Sequence, residues 1–247
     1  MGAPVTWFEI IGPEPAKLQS FYEELFGWEL QRVPDYDYAM THTHAEDSID
    51  GGIGLNPSGE HLVTFYPEVD DPQGTLDKVE SLGGKTVVPV SEMEMVTFAQ
   101  FRDPAGNRIG IAKSSGGGEE APHDHGPTTA TGVSWFEVLG PDPEAVRSFY
   151  SEVFGWKLEG GAGEGGFVYY QLTPEGKGIG GGVGSSPDGQ PHTTVYVQTD
   201  DLAKTLERAE SLGATTIMQP MEMETVEFAQ FADPVGNAFG LWRQIAS

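Results

Sequence analysis

The stretch Trp7-Phe8-Glu9-Ile10-Ile11-Gly12-Pro13-Glu14-Pro15, running on to Phe21-Tyr22 and Phe26-Gly27-Trp28, decides how this chain is read. It returns as Trp135-Phe136-Glu137-Val138-Leu139-Gly140-Pro141-Asp142-Pro143, followed by Phe149-Tyr150 and Phe154-Gly155-Trp156. From Trp7 to Trp28 the two copies agree at about 13 of 22 positions, far beyond chance, so the chain is a tandem duplication.

Each copy begins as a buried strand. An acidic residue and a proline then open a helix. Leu18, Phe21, Tyr22, Leu25 and Phe26 fall at i, i+3, i+4, i+7 and i+8, one apolar helix face, and Gly27 ends it. Short strands are expected near Trp28–Leu30, Tyr36–Thr41 and Gly51–Leu55. The pattern then restarts inside the half: a strand over His61–Val69, a helix capped by Asp70-Asp71-Pro72 and stopped by Gly83-Gly84, and strands over Lys85–Val90, Val96–Phe101 and Arg108–Ala112. Asp103-Pro104-Ala105-Gly106-Asn107 supplies the last turn. The second half repeats the series, down to Phe228-Ala229-Gln230-Phe231 and Asp233-Pro234-Val235-Gly236-Asn237. The reading is an α+β chain of four βαβββ modules: a first domain over residues 1–113, a linker over 114–130 rich in Gly, Pro, Ser, Thr and acids, and a second domain over 131–247. The linker holds His123-Asp124-His125, which without a supporting frame is a poor metal site.

Composition narrows the partners. The 13 Lys+Arg stand against 38 Asp+Glu, a net charge of -25. Such a chain repels phosphate backbones and anionic lipid, so neither nucleic acid nor a membrane is an expected partner. There is no cysteine, which removes disulfides, thiolate catalysis and Cys-type zinc sites. With no basic n-region followed by an apolar run, and no apolar stretch near the ~20 residues that span a bilayer, the expected location is cytoplasmic. Monomer and homodimer remain equally open.

The strand followed by Pro-Asp/Glu-Pro, the helix with Phe-Tyr and Phe-Gly-Trp, then Val-Asp-Asp and finally Asp-Pro-x-Gly-Asn together resemble the vicinal oxygen chelate superfamily, the glyoxalase/bleomycin-resistance/extradiol-dioxygenase group. The chain looks most like its two-domain actinobacterial members. The resemblance covers nearly everything outside the linker. It implies tandem glyoxalase/bleomycin-resistance domains whose four modules form two eight-stranded cups, at about 5–113 and 133–243.

Metal-binding members of that group carry a ligand fourteen residues before the Phe-Tyr pair, a second five residues before the Val of Val-Asp-Asp, and a third seven residues after the Asp of Asp-Pro-x-Gly. Those positions here are Trp7, Thr64 and Gly110, and in the second half Trp135, Thr194 and Gly240. Indole, hydroxyl and glycine do not replace imidazole and carboxylate at a divalent transition metal. The expectation is therefore no metal and no cofactor. An unusual site using Glu9 or Glu137 with His42, His44, His61 or His192 is the remaining metal route.

Period-2 alternation puts Trp7 and Glu9 on one strand face, and the cup that the resemblance implies turns that face inward. The ligand-binding residues expected in the first cup are Trp7, Thr64, Tyr66, Phe98, Gln100 and Gly110, with Gly110 leaving room for a ligand to approach. Trp135, Thr194, Tyr196, Phe228, Gln230 and Gly240 are their counterparts. Glu9 and Glu137, carboxylates inside apolar strands, are the expected catalytic groups, since a buried carboxylate is costly unless paired or protonated. Glu92-Met93-Glu94 and Glu222-Met223-Glu224 read as exposed rim loops. The expected function is metal-free binding of a small hydrophobic or aromatic molecule, an antibiotic or secondary metabolite, in aromatic-lined cups in the bleomycin-resistance manner; the alternatives are a metal-independent isomerase, lyase or cyclase step using Glu9 or Glu137 as general acid/base, and a metal-dependent glyoxalase- or dioxygenase-like activity with substituted ligands.

Overall fold

A computed structural model describes residues 2–43, 45, 47–115, 131–163, 166–223 and 225–245. His44, Glu224, the His123-Asp124-His125 run and all of the expected linker beyond Ser115 lie outside the described residues.

The first half runs β1 (Val5–Gly12), α1 (Pro15–Phe26), β2 (Glu29–Arg32), β3 (Tyr38–His42), β4 (Gly51–Leu55), β5 (Leu62–Pro67), α2 (Pro72–Ser81), β6 (Lys85–Glu92), β7 (Val96–Arg102) and β8 (Arg108–Ser114). The second half repeats it: β9 (Val133–Gly140), α3 (Pro143–Phe154), β10 (Leu158–Ala162), β11 (Val168–Leu172), β12 (Gly180–Ser185), β13 (His192–Gln198), α4 (Leu202–Ser211), β14 (Thr215–Met223), β15 (Val226–Ala232) and β16 (Ala238–Gln244). Four βαβββ modules are present, as the repeat predicts. Within one half of the chain or the other the strands lie in the orders β2-β3-β4-β1 and β6-β7-β8, and β10-β11-β12-β9 and β13-β16-β15-β14. One expected loop is strand: Glu222 and Met223 close β14, opposite Glu227 and Val226 of β15. In the first half the strand stops at Glu92, and Met93, Glu94 and Met95 are exposed.

In β1 the alternation becomes burial. Phe8 and Ile10 are fully buried, whereas Trp7 and Glu9 are half-buried. The helix α1 packs on β4, the strand paired with β1, and Gly27 closes α1 with φ 72°, a left-handed conformation that glycine adopts without the clash a Cβ would bring.

The hydrophobic cores do not follow the two sequence halves. Among the described residues one compact unit takes in 7–63, 131–134 and 194–245, and the other 2–6, 64–115 and 135–193. In the unit holding Trp7, the α1 aromatics meet the last module: Phe21 lies 5.8 Å from Phe231, and Tyr22 5.2 Å from Phe239 (centroid distances). Tyr22 also stacks on Trp28 at 5.6 Å and 9°. In the other unit, Phe65 meets Phe136 at 4.3 Å and Phe101 meets Phe149 at 6.1 Å.

The sequence signatures prove to be the fasteners of these units. Asp103, buried in the β7–β8 turn, accepts hydrogen bonds from the backbone N–H groups of Gly106 (2.7 Å) and Asn107 (2.8 Å), from Asn107 Nδ2 (2.9 Å), and from the Tyr150 hydroxyl of α3 (3.0 Å). Asp233 is built the same way in the β15–β16 turn and accepts from the Tyr22 hydroxyl at 3.1 Å. Each Phe-Tyr pair is thus tied to an Asp-Pro-x-Gly-Asn turn from the other half of the sequence.

Candidate functional site

The expected site residues gather in two kinds of cluster, each within one unit. The first kind centres on the glutamates. Glu9 on β1 pairs in parallel register with Gly52 on β4, and Gly52 pairs with Met40 on β3. Tyr38, two residues before Met40, lays its ring across the space a side chain on Gly52 would take: a Cβ there would sit 1.7 Å from the Tyr38 hydroxyl. The tyrosine thereby reaches over β4 and donates to Glu9 Oε1 at 3.1 Å. The second half repeats this with Tyr169, Gly182 and Glu137. The Tyr169 hydroxyl donates to Glu137 Oε1 at 2.8 Å and accepts from the Trp135 indole N–H at 3.2 Å.

Burial pushes the hydroxyls of Tyr38 and Tyr169 well above the ordinary tyrosine range, and the negative charge of Glu9 or Glu137 adds to the rise. The hydrogen bond from Trp7 or Trp135 works in the opposite sense. Both tyrosines stay protonated at neutral pH and remain donors to the carboxylates. The result is a half-buried indole and a half-buried carboxylate on one strand face, with the carboxylate held by a phenol.

The second kind of cluster is closed. Tyr66 and Tyr196 are 4% and 3% exposed. Gln100 Nε2 donates to the Tyr66 hydroxyl at 2.5 Å, and Gln100 Oε1 accepts from Arg108 Nε at 2.9 Å. Gln230 Nε2 donates to the Tyr196 hydroxyl at 2.7 Å. Thr64 and Thr194 are buried and donate to the carbonyls of Arg108 and Ala238, each at 2.9 Å. Phe98 and Phe228 are half-buried. One expectation is corrected here. Gly110 and Gly240 do not leave room for a ligand, because the rings of Tyr66 and Tyr196 fill that room, 2.1 Å from where a Cβ would stand. The glycines admit the protein's own tyrosines.

The residues at the family's ligand positions do not fit a metal. Trp7 and Trp135 offer indole N–H donors, the hydroxyls of Thr64 and Thr194 are spent on backbone carbonyls, and Gly110 and Gly240 carry no donor. Among the described residues no group of three or more His, Asp or Glu is arranged to hold a metal ion. His61 is exposed and lies over Gly236, while His192 is paired with Asp188 at 2.9 Å.

Sequence reasoning missed Tyr38, Tyr169 and Arg108. The usable signal for the tyrosines was the alternate glycines of Gly51-Gly52-Ile53-Gly54 and Gly180-Gly181-Gly182-Val183-Gly184, which mark strands crossed by large side chains. Among the described residues no helix is long and apolar enough to cross a membrane.

Comparison with known proteins supports the same family for both halves. Residues 5–111 match the Glyoxalase/Bleomycin resistance protein/Dioxygenase superfamily, and residues 136–242 match the Glyoxalase-like domain. A protein of Mycobacterium tuberculosis provisionally named glyoxylase CFP32 is 27% identical over 97% of this chain and 94% of its own length. The anthracycline biosynthesis protein DnrV of Streptomyces peucetius is 32% identical over 45% of this chain, a match that spans under half (46%) of that relative. Among solved structures, the Mn(II)-bound glyoxalase of Novosphingobium aromaticivorans aligns over 99% of this chain and 84% of its own, with TM-score 0.67 and 14% identity. The halotolerant catechol dioxygenase BphC aligns over 98% and 87%, with TM-score 0.69 and 14% identity. With both halves matched, this chain belongs to the vicinal oxygen chelate superfamily, as a protein of two glyoxalase domains.

Proposed function

We propose that this chain binds a small hydrophobic or aromatic molecule, an antibiotic or secondary metabolite, on its Trp–Glu–Tyr faces without a metal. The observation that carries the reading is the contrast between the clusters. Thr64, Tyr66 and Gln100, with Thr194, Tyr196 and Gln230, are turned to one another or to the backbone. Trp7 and Glu9, and Trp135 and Glu137, remain half-buried on one strand face. An indole offers a flat ring a stacking surface, and a carboxylate oriented by a tyrosine accepts a hydrogen bond from a ligand hydroxyl or amine. A relative named for anthracycline biosynthesis supports a polycyclic ligand. The misfit of the donor set supports metal-free binding.

Tryptophan fluorescence and melting temperature, followed across a panel of planar aromatic metabolites, test this. Saturable quenching with a rise in melting temperature is expected for part of the panel, weakened at least tenfold by Trp7→Ala combined with Trp135→Ala. A panel that leaves both signals unchanged would sink the reading.

The Tyr38–Glu9 and Tyr169–Glu137 hydrogen bonds favour one second reading: a metal-independent isomerase, lyase or cyclase step in which the carboxylate takes a proton from the bound molecule. A turnover that persists undiminished in Glu9→Gln combined with Glu137→Gln would remove it.

A further inference from the structure

The two Trp–Glu–Tyr faces are not equivalent. On the first, β3 continues from Tyr38 and Met40 to His42, and alternate residues of a strand share a face, so His42 lies on the same face as Tyr38. Its Nδ1 is 3.0 Å from Asp50 Oδ2, and the other oxygen of Asp50 accepts from the Thr43 backbone N–H at 3.0 Å. The carboxylate is therefore fixed from two sides. It sets the imidazole so that Nε2 is the outward nitrogen, 3.5 Å from Gln31 Oε1. The His42 side chain is 35% exposed and that of Asp50 17%.

The dyad stands on the strands next to Trp7. Phe8 pairs with Gly51 and its N–H bonds the Asp50 carbonyl, so Trp7 and Asp50 oppose each other on neighbouring strands, about 5 Å apart at the backbone. Among the described residues, Glu29 on β2 is the titratable group paired opposite His42.

The second face has none of this. By the matching registers of β9 with β12 and β11 with β12, Thr173 stands where His42 does and Gly180 where Asp50 does. The ring of Trp135 fills that place, 2.7 Å from where a Gly180 Cβ would be.

We infer that the first face, through the His42–Asp50 dyad beside Trp7, binds aromatic molecules bearing an acidic hydroxyl and takes up the hydroxyl proton, a chemistry the second face lacks. This rests on the aromatic-binding reading above. The phenol O–H bond breaks, a new N–H bond forms at His42 Nε2, and the phenolate remains beside an imidazolium that Asp50 balances. No electrons change hands. A ring stacked on Trp7 with its hydroxyl turned toward β4 and β3 would meet the dyad there.

Para-nitrophenol is a suitable probe, because its phenolate absorbs in the visible and its binding is followed separately by tryptophan quenching. With the full-length protein in excess, the apparent acid ionisation constant of the bound probe is expected to rise about tenfold, a fall of about one unit in its pKa. His42→Gln should abolish that rise and Asp50→Asn should reduce it, with both variants still quenched by the probe and still melting cooperatively. His192→Gln, which removes an exposed histidine paired with Asp188, should leave the rise intact. A rise that survives in His42→Gln overturns the proposal, as does binding of the probe with no rise, or no binding of the probe at all. In each case the wider reading stands or falls on the rest of the panel.

Discussion

Four tyrosines at the scale of single residues carry a titration prediction. Tyr22 and Tyr150 are fully buried and donate to Asp233 and Asp103, and Tyr38 and Tyr169 donate to Glu9 and Glu137. In all four, burial is the largest cause holding the hydroxyl well above its ordinary value, and the neighbouring carboxylate adds to it. A group whose folded pKa is raised contributes stability that is complete below its unfolded pKa, near 10 for tyrosine, and is lost as pH climbs through the folded value. The native protein should therefore be flat in stability with respect to these groups at neutral pH and should weaken above about pH 10. Ultraviolet titration should show these four of the 8 tyrosines ionising only together with unfolding. Tyr22→Phe combined with Tyr150→Phe should lower neutral stability by roughly 2 kcal/mol, because two buried carboxylates each lose a donor, and should raise the alkaline midpoint. Free ionisation of all tyrosines in the folded state would contradict the burial and the hydrogen bonds together. Trp7, Glu9 and their repeats were legible because a carboxylate inside an apolar strand is an anomaly that sequence displays. Tyr38 was not, because its link to Glu9 runs across Gly52, and only strand register reveals which glycine a tyrosine crosses. Gly110 misled for the same reason: a missing side chain shows that space exists, while the occupant, Tyr66, is set by the pairing of distant strands.

The helices offer a matched pair at the scale of elements. Asp142 caps α3 by accepting from the Ala145 backbone N–H at 3.0 Å, and Asp71 and Asp201 cap α2 and α4 in the same way. Glu14, at the same position before α1, makes no such bond. Its longer side chain reaches instead to Lys17 at 3.4 Å in an exposed pair of small value. Aspartate is among the best N-cap residues because its short carboxylate reaches the free amides of the first turn. Glu14→Asp should therefore stabilise the protein by about 0.5–1 kcal/mol, and Asp142→Ala should cost about 1 kcal/mol, both read by urea denaturation. If Glu14→Asp leaves the midpoint unchanged, the cap is not what distinguishes the two helices. Elements were the most legible level. The apolar spacing of Leu18, Phe21 and Tyr22 reads directly as a helix face, and all three are buried. The end of β14 was less legible: Glu222-Met223 carries no strand signal of its own and is held in the strand by the partner residues on β15.

The tandem repeat at the scale of the whole chain announces two domains in sequence, and family descriptions match 5–111 and 136–242 accordingly. Sequence similarity follows the chain, however, whereas burial follows packing. Each compact unit takes modules from both halves. The aromatic faces of α1 and α3 carry no label saying which Asp-Pro-x-Gly-Asn turn they will meet, since the repeat makes both turns chemically alike. The ties that decide it are Tyr22 to Asp233 and Tyr150 to Asp103, with Phe21 against Phe231 and Phe101 against Phe149. A fragment ending at residue 115 keeps Tyr22 but loses Asp233, and keeps Asp103 but loses Tyr150. A fragment beginning at residue 131 has the complementary defects. Either fragment alone exposes aromatic rings that each normally bury on the order of 150–250 Å². At about 25 cal/mol per Å², several such rings outweigh the 5–15 kcal/mol that holds a typical domain together. Expressed separately, the two fragments should lack a cooperative urea transition as monomers. Mixed or co-expressed, they should associate one to one and recover both the transition and the resistance of Tyr22 and Tyr150 to ionisation. Two fragments that each unfold cooperatively as monomers would show that the core of each half is self-sufficient, and that the cross-half ties are secondary.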